Sequence, residues 1–341
     1  MSHHFRAGIV GTGFGVSAHL PALIAHPRFE VVALASPSSA ERVARERGIA
    51  AAFPSCQAML AGIELDVVIV ASPPFAHEHD VLASLDALKH VLCEKPFALD
   101  VEQARRMVSA AAQAGTACGV AHEFRFVPQL RALEQLVANG HLDPVRNIEA
   151  TQLRRFLRSS ETRPRSWWFE RHRGGGIAGA ALSHMIDSAD WIAGAAPHNV
   201  AGFLRTANPK RRDANGEFDS SVDDGAFALL DYGDGRVARL AADYTTSVES
   251  YTYAVHGENR TAVASGPSML ELTLFSVDTD ETDELQCKPS PYAKFASVNP
   301  SVPLLMELYD EFVKAIDGEP NLLPTFSQAL ETQEVLAAIG Y

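Results

Sequence analysis

Ala7-Gly8-Ile9-Val10-Gly11-Thr12-Gly13-Phe14-Gly15 is the stretch on which the fold turns. A short apolar strand runs into three glycines at alternate positions. Ser17 to Ala25 then follows with a helical pattern interrupted near its start by Pro21. A strand that turns through glycines into a helix aims the free N–H groups of the helix start at an anion. Gly11 permits the tight turn, and Gly13 lets the backbone approach a pyrophosphate. Gly15 comes one position early for the third glycine of a dinucleotide fingerprint, and Val16 stands where that glycine is expected.

Outward from this turn, strand and helix signals alternate. Phe29 to Ala35 reads as the second strand and Ala40 to Arg47 as a helix closed by Gly48. Leu65 to Ala71 is a largely apolar run of the kind buried on both faces of a parallel sheet. A helix over about His77 to Leu88 leads to the strand Val91-Leu92-Cys93. Asp100 caps a helix over Val101 to Ala114 that Gly115 ends, and Ala117 to Ala121 supplies one more strand. The expectation is an α/β, doubly wound Rossmann domain over residues 1–122.

From residue 123 the strand candidates lengthen and lose the helices between them. They are Asn147 to Phe156, Val200 to Ala207, Gly225 to Tyr232, Val237 to Thr245, Tyr251 to His256 and Met269 to Phe275. Tyr232-Gly233-Asp234-Gly235 is a hairpin turn signal. Helices are expected at about 128–139, 177–193, 303–317 and 326–339. Residues 123–341 thus read as an α+β domain on a large, mostly antiparallel open sheet, with the final helix able to pack back on the first domain.

Composition excludes several function classes. The 341 residues exceed one ordinary core, so two domains are expected. A net charge of -13 repels a phosphate backbone, which argues against nucleic acid as a partner, and Lys210-Arg211-Arg212 reads as a solvated loop. The four cysteines, Cys56, Cys93, Cys118 and Cys287, form no Cys-x-x-Cys pair; no metal site is expected, and a reducing, cytoplasmic setting is. No apolar run approaches the roughly 20 residues of a membrane span, and no signal sequence precedes the first strand. The acidic stretch Asp278 to Glu284 lacks the glycine and spacing of an EF-hand loop and reads as a solvated turn.

The candidate chemistry centres on Glu94-Lys95-Pro96, which puts a cation at a strand end beside the nucleotide site. Hydride transfer from a secondary alcohol needs an acceptor for the hydroxyl proton and a donor that steadies the developing oxygen charge. Lys95 suits that work, and Glu94 is placed to orient its ammonium group. At the end of the second strand, where an acid normally reads the ribose of NAD, the chain has Ser36-Pro37-Ser38-Ser39 with Arg42 one turn later. Hydroxyls and a cation favour a 2′-phosphate, so NADP is preferred and NAD possible. Helix-capping serines and a solvated Arg42 look the same in sequence. Ser72, Pro73 and His77 form the loop after the long apolar strand; His77 is expected near the nicotinamide ribose, or else as an exposed histidine at a helix start. The expected cofactor set is Gly11, Thr12, Gly13, Phe14, Gly15, Ser36, Ser38, Arg42, Ser72, Pro73, His77, Glu94 and Lys95.

Taken in order, Gly11-x-Gly13 with Gly15 and His19, Ser72-Pro73-x-x-x-His77, His90 to Pro96, Arg125-x-x-Pro128, and Gly174-Gly175-Gly176 before His184 and Asp187 resemble the Gfo/Idh/MocA family. That resemblance implies a two-domain NAD(P)-dependent oxidoreductase acting on a sugar, cyclitol or related polyol. It also implies a homodimer or homotetramer formed through the second sheet. In the family the lysine of the Glu-Lys-Pro motif contacts cofactor and substrate hydroxyls. Lys95 and His184 are thereby the implied catalytic pair. Arg125, just after the first domain, Trp167 and Trp168, before the glycine loop, and Asp187 are candidate substrate contacts, Asp187 serving equally as a brace for the histidine or the helix packing. Aromatic rings give sugars stacking surfaces, though both tryptophans suit packing or an interface equally. Arg154, Arg155, Arg158, Arg163 and Arg165 make this region locally basic.

The chain departs from the family pattern in two places. Members carry an aspartate four residues before the histidine and a glycine two before it, where this chain has Ala180 and Leu182. Leu88-Lys89 stands where a glycine usually precedes the lysine strand. Three readings stay open: a sugar dehydrogenase or reductase, a glycoside hydrolase using tightly held NAD for transient oxidation, and a non-catalytic cofactor-sensing regulator.

Overall fold

A computed structural model describes residues 4–278 and 281–341 of the chain, which form two compact units. Residues 1–123 and 290–330 group in the first, and 124–289 with 331–341 in the second.

The first unit is built on six parallel strands: β1 (Phe5–Val10), β2 (Phe29–Ala35), β3 (Ala51–Phe53), β4 (Val67–Val70), β5 (His90–Cys93) and β6 (Cys118–Val120). Their order, β3-β2-β1-β4-β5-β6, reverses between β1 and β4, and ligands bind at the carboxyl ends of strands beside such a reversal. Every residue of β4 is buried, which explains its unbroken apolar sequence. The helices are α1 (Leu20–Ala25), α2 (Ala40–Arg47), α3 (Cys56–Gly62), α4 (Pro74–Asp86) and α5 (Val101–Ala114). The Asp100 side chain accepts the Gln103 N–H at 2.8 Å, and Gly115 closes α5 with φ 66°. Pro21 has no N–H to give α1. The residues before it, Gly15–His19, bond at a wider spacing, with the Leu20 N–H reaching Gly15 O. The short β3 and α3 carry no strong periodicity, and sequence reasoning passed over them.

The second unit holds α6 (Pro128–Ala138), β7 (Val145–Leu153) and α7 (Ser183–Ala193), then β8 (Asn199–Arg205), β9 (Lys210–Asp213) and β10 (Gly216–Asp219). It continues through β11 (Gly225–Asp231), β12 (Val237–Asp243), β13 (Ser250–Gly257), β14 (Thr261–Gly266), β15 (Thr273–Val277) and β16 (Thr282–Leu285). Eight strands pair in the order β16-β15-β14-β13-β7-β12-β11-β8, antiparallel everywhere except β7 against β12. Alternation sets the two faces: Ala226, Ala228 and Leu230 of β11 are buried, while Leu229 points out. Sequence reasoning missed β14, and β15 starts four residues later than the expected strand from Met269.

Two charged stretches differ from expectation. Thr279 and Asp280 of the acidic run lie outside the described residues, and Thr282–Leu285 is an edge strand with exposed acids rather than a turn. Lys210-Arg211-Arg212 is no solvated loop. It belongs to β9, paired antiparallel with β10. Strand alternation exposes Lys210 and Arg212 and turns Arg211 inward, where Nη2 lies 3.2 Å from Asp224 Oδ2 and Nη1 donates to Leu157 O. The partner carboxylate is fully buried, and it could not be read from the basic run alone.

The remaining helices are α8 (Val302–Ile316) and α9 (Phe326–Ala338). In the first unit α8 packs on α1, Thr325 bridges to Gly119 beside β6, and the Phe326 ring lies 4.6 Å from that of Phe97. Among the described residues no helix is long and apolar enough to cross a membrane.

The buried Arg211–Asp224 pair is testable. Without Arg211, Asp224 still accepts the Ala207 and Asn208 N–H groups at 2.8 Å and has Arg205 at 3.5 Å, so Arg211→Met should destabilise the fold by about 2 kcal/mol, the loss of a charged hydrogen bond. Lys210→Met, on the exposed side of the same strand, should change it little. Equal unfolding midpoints in denaturant for both variants would return the segment to a solvated loop.

Candidate active site

Glycines bring the ends of β1 and β4 together. Gly11 has φ 103°, and a Cβ there would lie 2.1 Å from Ala71 O. Gly13 faces open space, as an approaching ligand requires. A Cβ on Gly15 would meet Ile9 Cγ2 at 2.9 Å. Gly15 thus provides the close helix-to-strand packing that the fingerprint assigns to its later glycine, and Val16 is free to be a buried apolar residue. Phe14 is half-buried, its ring edge-on to His19 with centroids 5.6 Å apart. Thr12 Oγ1 lies 2.6 Å from Ser39 Oγ, which lies 2.9 Å from Ser36 Oγ, so hydroxyls tie this loop to the turn after β2. Ser38 is exposed. Arg42 is exposed as well and pairs with Glu46 on its own helix at 2.9 Å.

The loop after β4 is held from beneath. Ser72 Oγ donates to Asp80 Oδ2 at 2.8 Å, and Pro73 precedes α4. His77 is fully buried, with Nε2 2.8 Å from Ser72 O and Nδ1 3.0 Å from Pro96 O. Burial pushes its pKa down. The neutral ring has one N–H and so donates to one of these carbonyls while packing against the other, between the loop after β4 and the loop after β5; it is not an exposed histidine.

Lys95 follows β5 directly. The Glu94 N–H donates to Val70 O, and the Glu94 side chain turns into the interior. Its Oε1 lies 2.8 Å from His19 Nε2, and its Oε2 accepts the Lys95 backbone N–H at 3.1 Å. Burial works to raise the carboxyl's pKa, but its interaction with His19 and the charge of Lys95 outweigh it and hold the pKa below the usual value. His19 Nδ1 in turn lies 2.7 Å from the Tyr309 hydroxyl of α8. Sequence reasoning placed Glu94 beside Lys95 but had neither His19 nor Tyr309 in the site. No local pattern points to Tyr309, which is 290 residues from its histidine partner.

In the second unit His184 is the second residue of α7, nearly buried and stacked on Phe124 with centroids 3.9 Å apart and planes at 9°. Arg125 and Asp187, both expected near substrate, are committed to each other in a buried two-point ion pair of 2.8 and 2.6 Å. The tryptophans diverge. Trp167 lines a cavity of about 590 Å³ with Arg165, Glu170, Arg173, Asp213 and Phe218. Trp168 packs edge-on against Phe156 and Phe169 instead. Gly174-Gly175-Gly176 has packing reasons of its own: a Cβ at Gly175 would lie 2.0 Å from Trp168 O, and at Gly176 2.3 Å from Asp223 Oδ1. Ala180 is half-buried and supplies no carboxylate.

One acid on α7 went unnoticed in the sequence. Asp190 Oδ1 accepts the Tyr232 hydroxyl at 2.9 Å, while its buried Oδ2 meets no hydrogen-bond partner among the described residues. Burial first, and then the negative charges of Asp187 and Glu331, push its pKa up to about 8. The unfolded value is near 4, so the folded chain keeps a proton that the unfolded chain releases. That stabilisation is complete below about pH 4 and is lost as pH rises through about 8. Asp190→Asn keeps an oxygen for Tyr232 and removes the titration. Its melting temperature should exceed the parent's by roughly 3 °C or more at pH 8 and by much less at pH 5; a gap that ignores pH would sink the assignment.

Comparison with known proteins follows the same division of the chain. Residues 5–122 match the oxidoreductase family with an NAD-binding Rossmann fold, and residues 130–263 match the C-terminal domain of the same Gfo/Idh/MocA group. The chain is 33% identical over 214 residues to an uncharacterised oxidoreductase of Synechocystis sp., covering 62% of this chain and 57% of that one. It is 30% identical over 235 residues to 1,5-anhydro-D-fructose reductase of Ensifer adhaerens, covering 67% and 66%. The chain thus spans under two thirds of the length of both these relatives. Levoglucosan dehydrogenase of Pseudarthrobacter phenanthrenivorans matches end to end, 24% identical over 375 residues, 98% of this chain and 95% of that one. A solved levoglucosan dehydrogenase with NADH and L-sorbose has the same fold, with a TM-score of 0.86 at 21% identity over 99% of this chain and 96% of that one. The chain belongs to the Gfo/Idh/MocA oxidoreductase family.

Proposed function

We propose that this chain is an NAD(P)-dependent dehydrogenase or reductase that moves a hydride between nicotinamide and a hydroxyl or keto carbon of a sugar, cyclitol or related polyol. One observation carries the reading: the Gly11 to Gly15 loop, the Ser72 loop and Lys95 stand at the carboxyl ends of adjacent strands β1, β4 and β5. The dinucleotide fits this cradle on its own terms, since Gly13 leaves space for a pyrophosphate where any other side chain would stand. When bound, the cofactor supplies hydride acceptance or donation. Lys95 handles the proton of the reacting hydroxyl, and His184 is its counterpart on α7. With alanine at 180, these two residues divide work for which the family pattern has a third, acidic member.

The end of β2 supports NADP over NAD, because Ser36 to Ser39 hold no acid where one would read the ribose of NAD, and Arg42 stands one turn on, between Glu41 and its partner Glu46. An exposed pair within one helix, such as Arg42–Glu46, is worth only about 0.3–0.5 kcal/mol, so Arg42 is readily exchanged to a phosphate. Sugar recognition is supported by the names of the relatives, among them levoglucosan dehydrogenase and the D-glucoside 3-dehydrogenase of Escherichia coli. Four free cysteines suit a reducing compartment.

Titration with NADPH and NADH, followed by a screen of levoglucosan, 1,5-anhydro-D-fructose, methyl glucosides and cyclitols by cofactor absorbance, tests the reading. NADPH should bind more tightly, and at least one sugar should turn over. Lys95→Ala should then lower kcat by roughly 10²- to 10⁴-fold with nucleotide affinity mostly kept. Binding of neither nucleotide would sink the cofactor site, and an undiminished kcat would remove Lys95 from the chemistry.

A second copy of the chain suits the open face of the large sheet as partner, in a homodimer or homotetramer. Phe203 and Leu229 are exposed there, and the Phe203 and Phe227 rings stack at 5.0 Å. Sedimentation should give two or four copies for the parent and a lower order for Phe203→Glu; a monomeric parent would end this reading.

A further inference from the structure

We propose that Tyr309 is a positioning residue for Lys95, acting through His19 and Glu94. The chain of contacts lies wholly within the first unit. Both Glu94 oxygens are occupied by N–H donors, one from His19 Nε2 and one from the Lys95 backbone. A carboxylate only accepts, so Nε2 of His19 must carry a proton. Tyr309 is completely buried, and that burial, with the negative charge of Glu94, drives its pKa well above the ordinary phenol value. Its hydroxyl therefore keeps its hydrogen, and because the Nε2–H tautomer leaves a lone pair on Nδ1, the hydroxyl donates to His19 Nδ1 at 2.7 Å. One tautomer satisfies every group: Tyr309 O–H to Nδ1, Nε2–H to Glu94, and Lys95 N–H to Glu94.

The opposite tautomer would aim a lone pair at the Glu94 carboxylate inside a site from which water is excluded. Tyr309 opposes it, because an O–H pointed at Nδ1 favours the form whose proton is on Nε2. Glu94 is then kept ionised and fixed in place beside Lys95, as a third group fixes a base in other catalytic sets. Tyr309 is itself held by α8, which is anchored to the first unit at several points. His26 Nε2 lies 3.1 Å from Asp310 Oδ1, Arg28 pairs with Asp317 at 3.1 Å, and Asn299 donates to Ser17 O at 3.0 Å. The Tyr309 ring also packs on Phe29 with centroids 5.3 Å apart. Residues 290–330 thus complete the support of a lysine some two hundred positions earlier, although the sequence between them builds another unit.

This proposal rests on Lys95 as the proton-handling group, and the experiment separates the two. Tyr309→Phe keeps the ring and removes only the hydroxyl. In the full-length chain with cofactor, kcat on levoglucosan or 1,5-anhydro-D-fructose, whichever turns over, should fall roughly fivefold, the loss of one neutral hydrogen bond. The NADH Kd should stay within about twofold, since the glycine loop is untouched. In a Glu94→Gln background the same change should cost nothing further, because the chain runs through that carboxylate. Histidine ¹⁵N spectra give an answer without turnover. The resonance lost in His19→Gln should report an Nε2–H imidazole in the parent and a mixture of tautomers in Tyr309→Phe. Identical His19 signals in parent and Tyr309→Phe, or an equal kcat loss in the Glu94→Gln background, would overturn the proposal. If Lys95→Ala keeps full activity, the role of the lysine falls, and the spectra alone still decide whether Tyr309 orders His19 against Glu94.

Discussion

No side chain can stand between Gly11 and Ala71. A Cβ on the glycine would lie 2.1 Å from the Ala71 carbonyl oxygen, so the ends of β1 and β4 meet backbone to backbone. That approach occurs where the strand order reverses, the place where an open α/β sheet leaves a crevice. Everything proposed for the first unit is set out from it. The glycine turn directs the helix start, the Ser72 loop leaves β4 next to it, and Lys95 leaves the neighbouring strand β5. Glycine is required here by close approach as well as by its φ of 103°, so substitution meets both steric exclusion and backbone strain.

A second constraint is the burial of charge beside that crevice. Glu94, Asp80 and His77 all lie under the loops, and each needs partners to remain there. Asp80 takes the Ser72 hydroxyl, His77 faces the carbonyls of Ser72 and Pro96, and Glu94 takes His19 and the Lys95 backbone. These interactions hold two loops in fixed relation, and what remains outside them is the lysine side chain's chemistry. The polar interior of this unit is thus largely a scaffold for its surface.

How much of this was legible in sequence depended on range. Helices Ala40–Arg47 and Val101–Ala114 were read to the residue because their stop signals, Gly48 and Gly115, and the Asp100 cap are local. Strand β4 was legible because double-sided burial leaves an unbroken apolar run. Arg211 and Tyr309 were not, since their roles are defined by Asp224 and His19, which no periodicity connects to them. His77 shows the intermediate case: its place in the motif was legible, but the direction of its ring was not. A histidine at a helix start looks exposed until the carbonyls of two loops close on both nitrogens.

The arginines from 154 to 165 bear on what kind of substrate suits the second unit. A cluster of five would favour a carboxylate or phosphate if its charges were open. Arg154 instead pairs with Glu249 at 2.9 Å and lies over the rings of Phe156, Tyr244 and Tyr251. Arg155 shares Glu249, Arg158 pairs with Glu161 at 2.7 Å, and the Arg163 guanidinium sits 3.5 Å from the Phe156 ring centre. Burial lowers the pKa of Arg163, and Arg154 nearby adds to the effect. Two carboxylates thus answer Arg154, Arg155 and Arg158, an aromatic face covers Arg163, and Arg165 lines the cavity beside Trp167 together with Glu170 and Asp213, so an anionic ligand would meet or have to displace carboxylates already in place. A neutral polyol has no such competition to meet, which is why the proposed substrate is a sugar rather than a sugar acid or phosphate.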